Sequence, residues 1–352
     1  MGAHKESNSR HFSFQVNGYS VEPDLAAASM TSHRRLHLLL LATLAAVAVA
    51  GGEEEAFCRG ESIQDAAMLR PDRLTVLLSG YSERRLPLLR SIAAAYAAHP
   101  LVLAVVVLWS NPSTPDALLS SFPPAVTLHR TASSSLNSRF LPHPSIRTAA
   151  VAVADDDILP DAAALSFAFA TWQRSRPGSL VGFFPRSHHL DLARRRWAYA
   201  AAQPGSYSMV LTKLFIVGVD LLSKYFCSPE LAAARAVVDR ERNCEDILMN
   251  FVAAEESGQG PVLVEAGSIR DWGDPRNDDV NAGDGGEAMK TVGLSSTGGT
   301  EHWEKRGDCI TEFHRLLGRM PLRYSYGKVV AVAGGEQGLC SKGGRLVLCD
   351  QE

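Results

Sequence analysis

None of the six cysteines stands in a CxxC pair, so neither a zinc ribbon nor a thioredoxin-like motif is present. No Asn-x-Ser/Thr acceptor is open, because Pro112 blocks Asn111-Pro112-Ser113, and N-glycosylation therefore gives no sign of compartment. Aromatic residues make up only 7% of the chain, and its net charge is only −3 over 352 residues. That balance excludes the basic footprint of a nucleic-acid binder. The longest apolar run, Leu36 to Ala50, would reach roughly 22 Å as a helix, short of a hydrocarbon core about 30 Å thick. What remains, with 46% hydrophobic residues, is enough for one large α/β domain or two smaller ones, and fits neither a disordered nor a fibrous class.

Arg34 and Arg35 precede the apolar run and Glu53-Glu54-Glu55 follow it, which argues against a soluble core helix. Two readings compete for residues 36–52: an uncleaved signal anchor with its basic side in the cytoplasm, or a signal peptide cut after Ala48 or Ala50. The anchor is preferred. It makes residues 1–35 a cytoplasmic segment and sends the rest into the lumen, the arrangement of a type II membrane protein. A start at Met30 would open the chain like an ordinary signal sequence, so residues 1–29 read as an inaccurate gene-model extension. An even cysteine count behind such a segment fits disulfides in an oxidising lumen. Cys340 with Cys349 is one guessed pair, in the tail.

After a short stem over 53–72 the pattern alternates as α/β folds do. Strands are expected at Leu74–Leu78, Leu101–Trp109, Val126–His129 and Val151–Ala154, with a helix over Leu86–Ala98 after the first. The second of these is too apolar to be an edge. Further on, Ser208–Leu211 reads as a strand, and Pro229–Glu241, Ile247–Ala254 and Cys309–Leu317 read as helices. Residues 282–300 hold six glycines, which suits either an active-site loop or a surface linker. The main folded domain is expected over 73–333, with 334–352 as a tail. Trp172, Met209 and Phe251 read as core, and the adjacent His188 and His189 should point apart and carry no role.

The most informative stretch is Val151-Ala152-Val153-Ala154-Asp155-Asp156-Asp157. Four small or β-branched apolar residues form a buried strand, and three carboxylates follow where it leaves the sheet, the edge at which open α/β sheets bind ligands. Adjacent anions repel, so a fold that gathers them has a cation to offer. Oxygen donors of this hardness suit Mg²⁺ or Mn²⁺, which can in turn hold a pyrophosphate. The plainer reading is an acidic loop that caps the next helix.

Other segments join this one. Ser135-Leu136-Asn137-Ser138-Arg139-Phe140 lies upstream, and Tyr207-Ser208-Met209-Val210-Leu211, Asn243-Cys244-Glu245-Asp246-Ile247-Leu248-Met249-Asn250-Phe251, Arg306-Gly307-Asp308-Cys309-Ile310 and Met320-Pro321-Leu322 lie downstream. In that order and spacing they resemble the exostosin carboxy-terminal domain, glycosyltransferase family 64, over roughly residues 73–330. The nine-residue block from Asn243 is the most specific part.

The resemblance implies a GT-A fold, with a mostly parallel nucleotide-binding sheet half joined to an acceptor-binding half. It also implies Mn²⁺-dependent sugar transfer from a nucleotide sugar with retention of configuration, Mg²⁺ being the alternative ion. By it Asp157 is the metal ligand, Asp155 faces the donor ribose and Asp156 supports them. Asn137 and Arg139 contact the nucleotide. Asp246 is the essential carboxylate with Glu245 supporting it, and Arg306 is the arginine near the donor diphosphate. Cys244 and Cys309 fall where the family has a disulfide. The plainer readings are a surface ion pair for Arg139 and a helix-start carboxylate for Glu245.

The compact form, with Trp272-Gly273-Asp274-Pro275-Arg276 and the ending Gly338-Leu339-Cys340, looks more like the plant branch. Plant members act on glycosyl inositol phosphorylceramides, and the compact ones are associated with GDP-mannose. The expected partners are thus a nucleotide-sugar donor, GDP-mannose first, and a sphingolipid headgroup or glycan acceptor, with the membrane as platform. A UDP-N-acetylhexosamine donor, a catalytically silent Golgi partner subunit and a metal hydrolase are the competing readings.

Overall fold

The computed structural model describes residues 57–58, 68–273, 299–331, 339–342 and 345–348. The apolar run over 36–52, most of the glycine-rich stretch and Cys349 lie outside the described residues, as does the Cys340 side chain. No helix among the described residues is long and apolar enough to cross a membrane.

The first half alternates as its sequence predicts: β1 (Arg70–Gly80), α1 (Leu86–Ala97), β2 (Val102–Trp109), β3 (Val126–Arg130) and β4 (Thr148–Ala154). Then come β5 (Ile158–Pro160), α2 (Ala162–Arg174), β6 (Val181–Gly182), β7 (Pro185–Asp191), β8 (Arg196–Ala201), β9 (Ser206–Tyr207), β10 (Met209–Val210) and β11 (Leu214–Gly218). The remainder is α3 (Val219–Cys227), α4 (Ala232–Glu241), α5 (Glu245–Ser257), β12 (Val262–Glu265), β13 (Ile269–Asp271), α6 (Gly299–Leu317), β14 (Ser325–Tyr326) and β15 (Val329–Val330).

Eight strands form the central sheet in the order β15-β12-β6-β11-β4-β1-β2-β3. All neighbours run parallel except at β11, which is antiparallel to both β4 and β6. β2 is interior, as its apolar run requires. The period of two in β4 sorts its side chains. Ala150, Ala152 and Ala154 join the core under α1 and α2, while Val151 and Val153 face the core built with α3 to α6. Asp161, rather than the triple aspartate, caps α2, accepting the Ala164 amide at 2.7 Å.

Three features depart from the sequence reading. The strand expected at Ser208–Leu211 is confined to Met209–Val210. The helix expected from Cys309 starts at Gly299, because its polar first half shows no continuous apolar face. The β7–β8 hairpin and β11 were not anticipated, since short mixed strands give little period-two signal. In that hairpin His188 is buried and His189 exposed, on opposite faces as adjacent strand residues must be.

Among the described residues two disulfides are formed: Cys244–Cys309, and Cys58–Cys227, which ties the stem to the end of α3. Peptide mapping without reductant should recover both pairs. Replacing Cys58 and Cys227 with serine should lower stability in urea by about 2–4 kcal/mol, and an unchanged midpoint would refute the link.

His188 accepts or donates one bond, to Ser208 Oγ at 2.7 Å, and burial with His189 nearby lowers its pKa to about 4. A histidine held neutral on folding stabilises the chain fully above its unfolded pKa near 6.5. That contribution, up to roughly 3 kcal/mol, is lost as pH falls toward 4. Thermal unfolding of His188→Gln should therefore vary less across this window than that of the native chain.

Candidate active site

The carboxyl ends of β1, β4 and the parallel strands beside them open on one edge of the sheet, and the triple aspartate emerges there from β4. Asp155 is opposite the start of β11, its amide bonded to the Lys213 carbonyl at 3.1 Å. Because β11 runs against β4, Thr212 and Lys213 are delivered to the same edge.

Arginines bind the three acids. Arg85, in the turn before α1, donates from one nitrogen to Asp156 Oδ1 at 2.6 Å and Asp157 Oδ2 at 2.9 Å. Arg139 donates to Asp155, to Glu245 Oε1 at 3.2 Å and to the Thr212 carbonyl at 3.4 Å. The Arg139 guanidinium thus joins the triple aspartate to the start of α5, and its pairing is internal rather than on the surface. Lys213 closes the far side through Asp271 Oδ2 at 2.6 Å. Asn137 is placed differently. Its amide is spent inside the protein, accepting from Tyr225 at 2.6 Å and donating to Asp239 and the Arg235 carbonyl.

The Asn243-to-Phe251 block is a compact device. Cys244 has a left-handed backbone, φ 77°, a strained conformation for a non-glycine residue that the disulfide and its burial hold in place. It turns the chain sharply from α4 into α5, so that Glu245 and Asp246 lie in the first helical turn, where carboxylates suit the helix dipole. Asn250, one turn on, locks α5 to β10: it accepts the Val210 amide at 3.0 Å and donates to the Val210 carbonyl at 2.8 Å.

Arg306 on α6 completes the pair, donating to Asp246 Oδ2 at 2.5 Å and to Asn243 Oδ1 at 2.8 Å. Its guanidinium also lies over the Tyr199 ring, 4.5 Å from the centroid. Close approach of α6 to β8 needs Gly307, where a Cβ would sit 2.8 Å from the Trp197 carbonyl oxygen. Cys309 then pins the same helix to Cys244. Asp246 and Arg306 are therefore fixed relative to one another by a covalent link and an ion pair.

Burial sets the charge states. It raises the pKa of Asp156 against the pull of Arg85, and it raises Glu245, with Asp246 adding to the effect. Asp157 is pushed up to about 7 by burial and by the charges of Asp155 and Asp156. Burial works against the Arg139 and Arg306 cations too, but Asp155 with Glu245 and Asp246 respectively more than restore them. Each of Arg85, Arg139 and Arg306 keeps one buried nitrogen without a hydrogen-bond partner. Three buried guanidiniums gathered among these carboxylates suit an anionic ligand.

The donor set also fits a hard divalent cation. It is all oxygen, and no three metal-binding side chains among the described residues converge into a closed cage. Such ions commonly take one or two carboxylates and complete their shell with water and substrate phosphates. At Gly273 a Cβ would lie 2.4 Å from Asp157 Oδ2, so the glycine leaves that carboxylate oxygen room. Sequence reasoning missed Arg85, Lys213, Asn243 and Tyr199. Asn243 stood inside the quoted block, whereas nothing local marks Arg85 among its neighbours.

The family model for the glycosyl transferase family 64 domain matches residues 74–333. Glycosyltransferase family protein 64 C3 of Arabidopsis thaliana is 48% identical over 84% of this chain and 91% of its own length. Glycosylinositol phosphorylceramide mannosyl transferase 1 of the same plant is 30% identical, covering 74% and 78%. Human exostosin-like 2 is 29% identical, covering 82% and 86%. With its acidic strand end, its Asn243-to-Phe251 block and Arg306 assembled at one sheet edge, the chain belongs to glycosyltransferase family 64.

Proposed function

We propose that the chain is a retaining mannosyltransferase that moves mannose from GDP-mannose to the headgroup of a glycosyl inositol phosphorylceramide. The observation that carries the donor half is the set of buried guanidiniums among the acids, Arg85 on Asp156 and Asp157, Arg139 on Asp155, and Arg306 on Asp246. The acceptor and sugar rest on the likeness to a glycosylinositol phosphorylceramide mannosyl transferase. A UDP-N-acetylhexosamine donor is the second reading, since the pocket around the base is not defined by these residues.

In this reading Asp157 holds Mn²⁺, or Mg²⁺ in its place, with Asp155 on the ribose side and Asp156 steadied by Arg85. A bound divalent ion supplies charge compensation for the leaving diphosphate. Arg306 meets the negative charge that grows on the same phosphate, and its buried setting strengthens that contact. Asp246, paired with Arg306, faces the sugar and steadies positive charge at the anomeric carbon. Glu245 orients Arg139, which places the nucleotide. Anchorage at the Golgi membrane by residues 36–52 would keep the domain near a lipid-linked acceptor.

Three measurements test this. Asp157→Ala should abolish Mn²⁺-dependent donor binding in calorimetry while leaving the circular dichroism unchanged; retained affinity would remove the metal assignment. Arg306→Lys should lower kcat ~100- to 1,000-fold with little change in donor KM. A fall confined to KM would make Arg306 a binding residue only. Thermal stability with Mn²⁺ should rise with GDP and GDP-mannose. A rise with UDP and UDP-GlcNAc alone would favour the hexosamine reading.

A further inference from the structure

The β7–β8 hairpin carries a feature that catalysis does not use. Its turn, Leu192-Ala193-Arg194-Arg195, is exposed throughout, with Leu192 78% exposed and Leu190 on the adjoining strand 45% exposed. Single exposed leucines are ordinary on any surface. Here two of them sit at a hairpin tip beside three consecutive arginines, with one aspartate in the same segment. Arg196 is held by Asp308 at 2.9 Å and Glu304 at 3.6 Å, whereas Arg194 reaches Asp191 and Glu304 only at 3.8 Å. Arg195, with φ 52° in the turn, has no ion-pair partner among the described residues. The tip thus offers two exposed leucines beside one unpaired arginine, Arg195, and a second, Arg194, held only at 3.8 Å, and apolar side chains flanked by arginine suit a lipid headgroup layer.

Its place in the fold points the same way. His188 and Leu190 of β7 lie opposite Tyr199 and Trp197 of β8, so the tip is about 13 Å along the strand from the ring that carries Arg306. Between them lies a cavity of about 170 Å³ lined in part by Arg194, Trp197, Tyr199 and Trp303. The Trp303 ring meets that of Tyr199 at 5.1 Å and is itself 37% exposed. Aromatic faces and arginines are what a sugar headgroup would be laid against. We infer that the β7–β8 hairpin docks on an anionic lipid surface and sets the distance between that surface and Asp246–Arg306. The inference rests on the lipid-linked acceptor proposed above and adds the device that presents it.

A nitroxide at Ala193→Cys in the full chain reads this directly, because its depth does not depend on how the N-terminal segment is held. The chain is reconstituted on phosphatidylcholine vesicles with and without phosphatidylserine, and accessibility to oxygen and to a nickel chelate is compared. The label should become immersed when phosphatidylserine is present, while a label at Leu118→Cys stays in water. Adding Leu190→Ser and Leu192→Ser should abolish immersion. Arg194→Gln and Arg195→Gln should each lower the ratio of immersed to free label roughly fivefold on anionic vesicles. A label equally wet on both vesicles, or equally deep on both, would overturn the assignment, as would burial of the label only on adding a soluble protein. Neither donor nor acceptor is needed for this readout. A failed sugar transfer therefore leaves the hairpin's role standing, and transfer without immersion removes that role alone.

Discussion

The site depends on a balance of buried charge. Asp155, Asp156, Asp157, Glu245, Asp246 and Asp271 are gathered at one sheet edge, and Arg85, Arg139, Lys213 and Arg306 hold them there. Removing such groups from water is costly, and the attraction between partners only partly offsets that cost. A hydrophobic core in the same place would serve stability as well or better. Stability therefore does not account for the arrangement, and the donor site proposed above gives it a reason.

The topology brings these groups together from distant sequence. Parallel strands deliver Asp155 to Asp157 at a carboxyl end, as in open α/β sheets generally. The single reversed strand, β11, brings Thr212 and Lys213 to the same edge from its amino end. Helix α5 meets the sheet at its first turn and α6 lies across β8, so Asp246 and Arg306 face each other from separate elements. The reversal at β11 therefore does positional work that an all-parallel sheet could not.

Much of this was legible in the sequence, and the reasons are particular. β2 and β4 announce themselves by continuous apolar runs because both faces of the sheet are covered. Asp155 to Asp157 are visible because they follow such a run directly. The Asn243-to-Phe251 block is legible because nearly every polar residue in it has a fixed partner, Asn243 and Asp246 on Arg306, Glu245 on Arg139, Asn250 on β10. Arg85 was not legible, since one arginine in Glu83-Arg84-Arg85 is indistinguishable from the next until the fold points it at Asp156. The start of α6 was missed for a related reason: it packs against β8 through Gly307 and a salt-bridged surface rather than an apolar stripe. Asn137 shows the limit of residue-by-residue inference, its side chain being engaged with Tyr225 and Asp239 inside the protein.

The link between Cys244 and Cys309 has a consequence for where the chain can work. It joins the residue just before Glu245 and Asp246 to the residue three places after Arg306. In a reducing compartment those two segments would be kept together by packing, hydrogen bonds and ion pairs without the covalent link. Oxidation thus acts as a licence: the covalent hold on Asp246 and Arg306 is added only in a compartment that forms disulfides. A copy stranded in the cytosol would carry every site residue and lack the covalent clasp that sets their spacing.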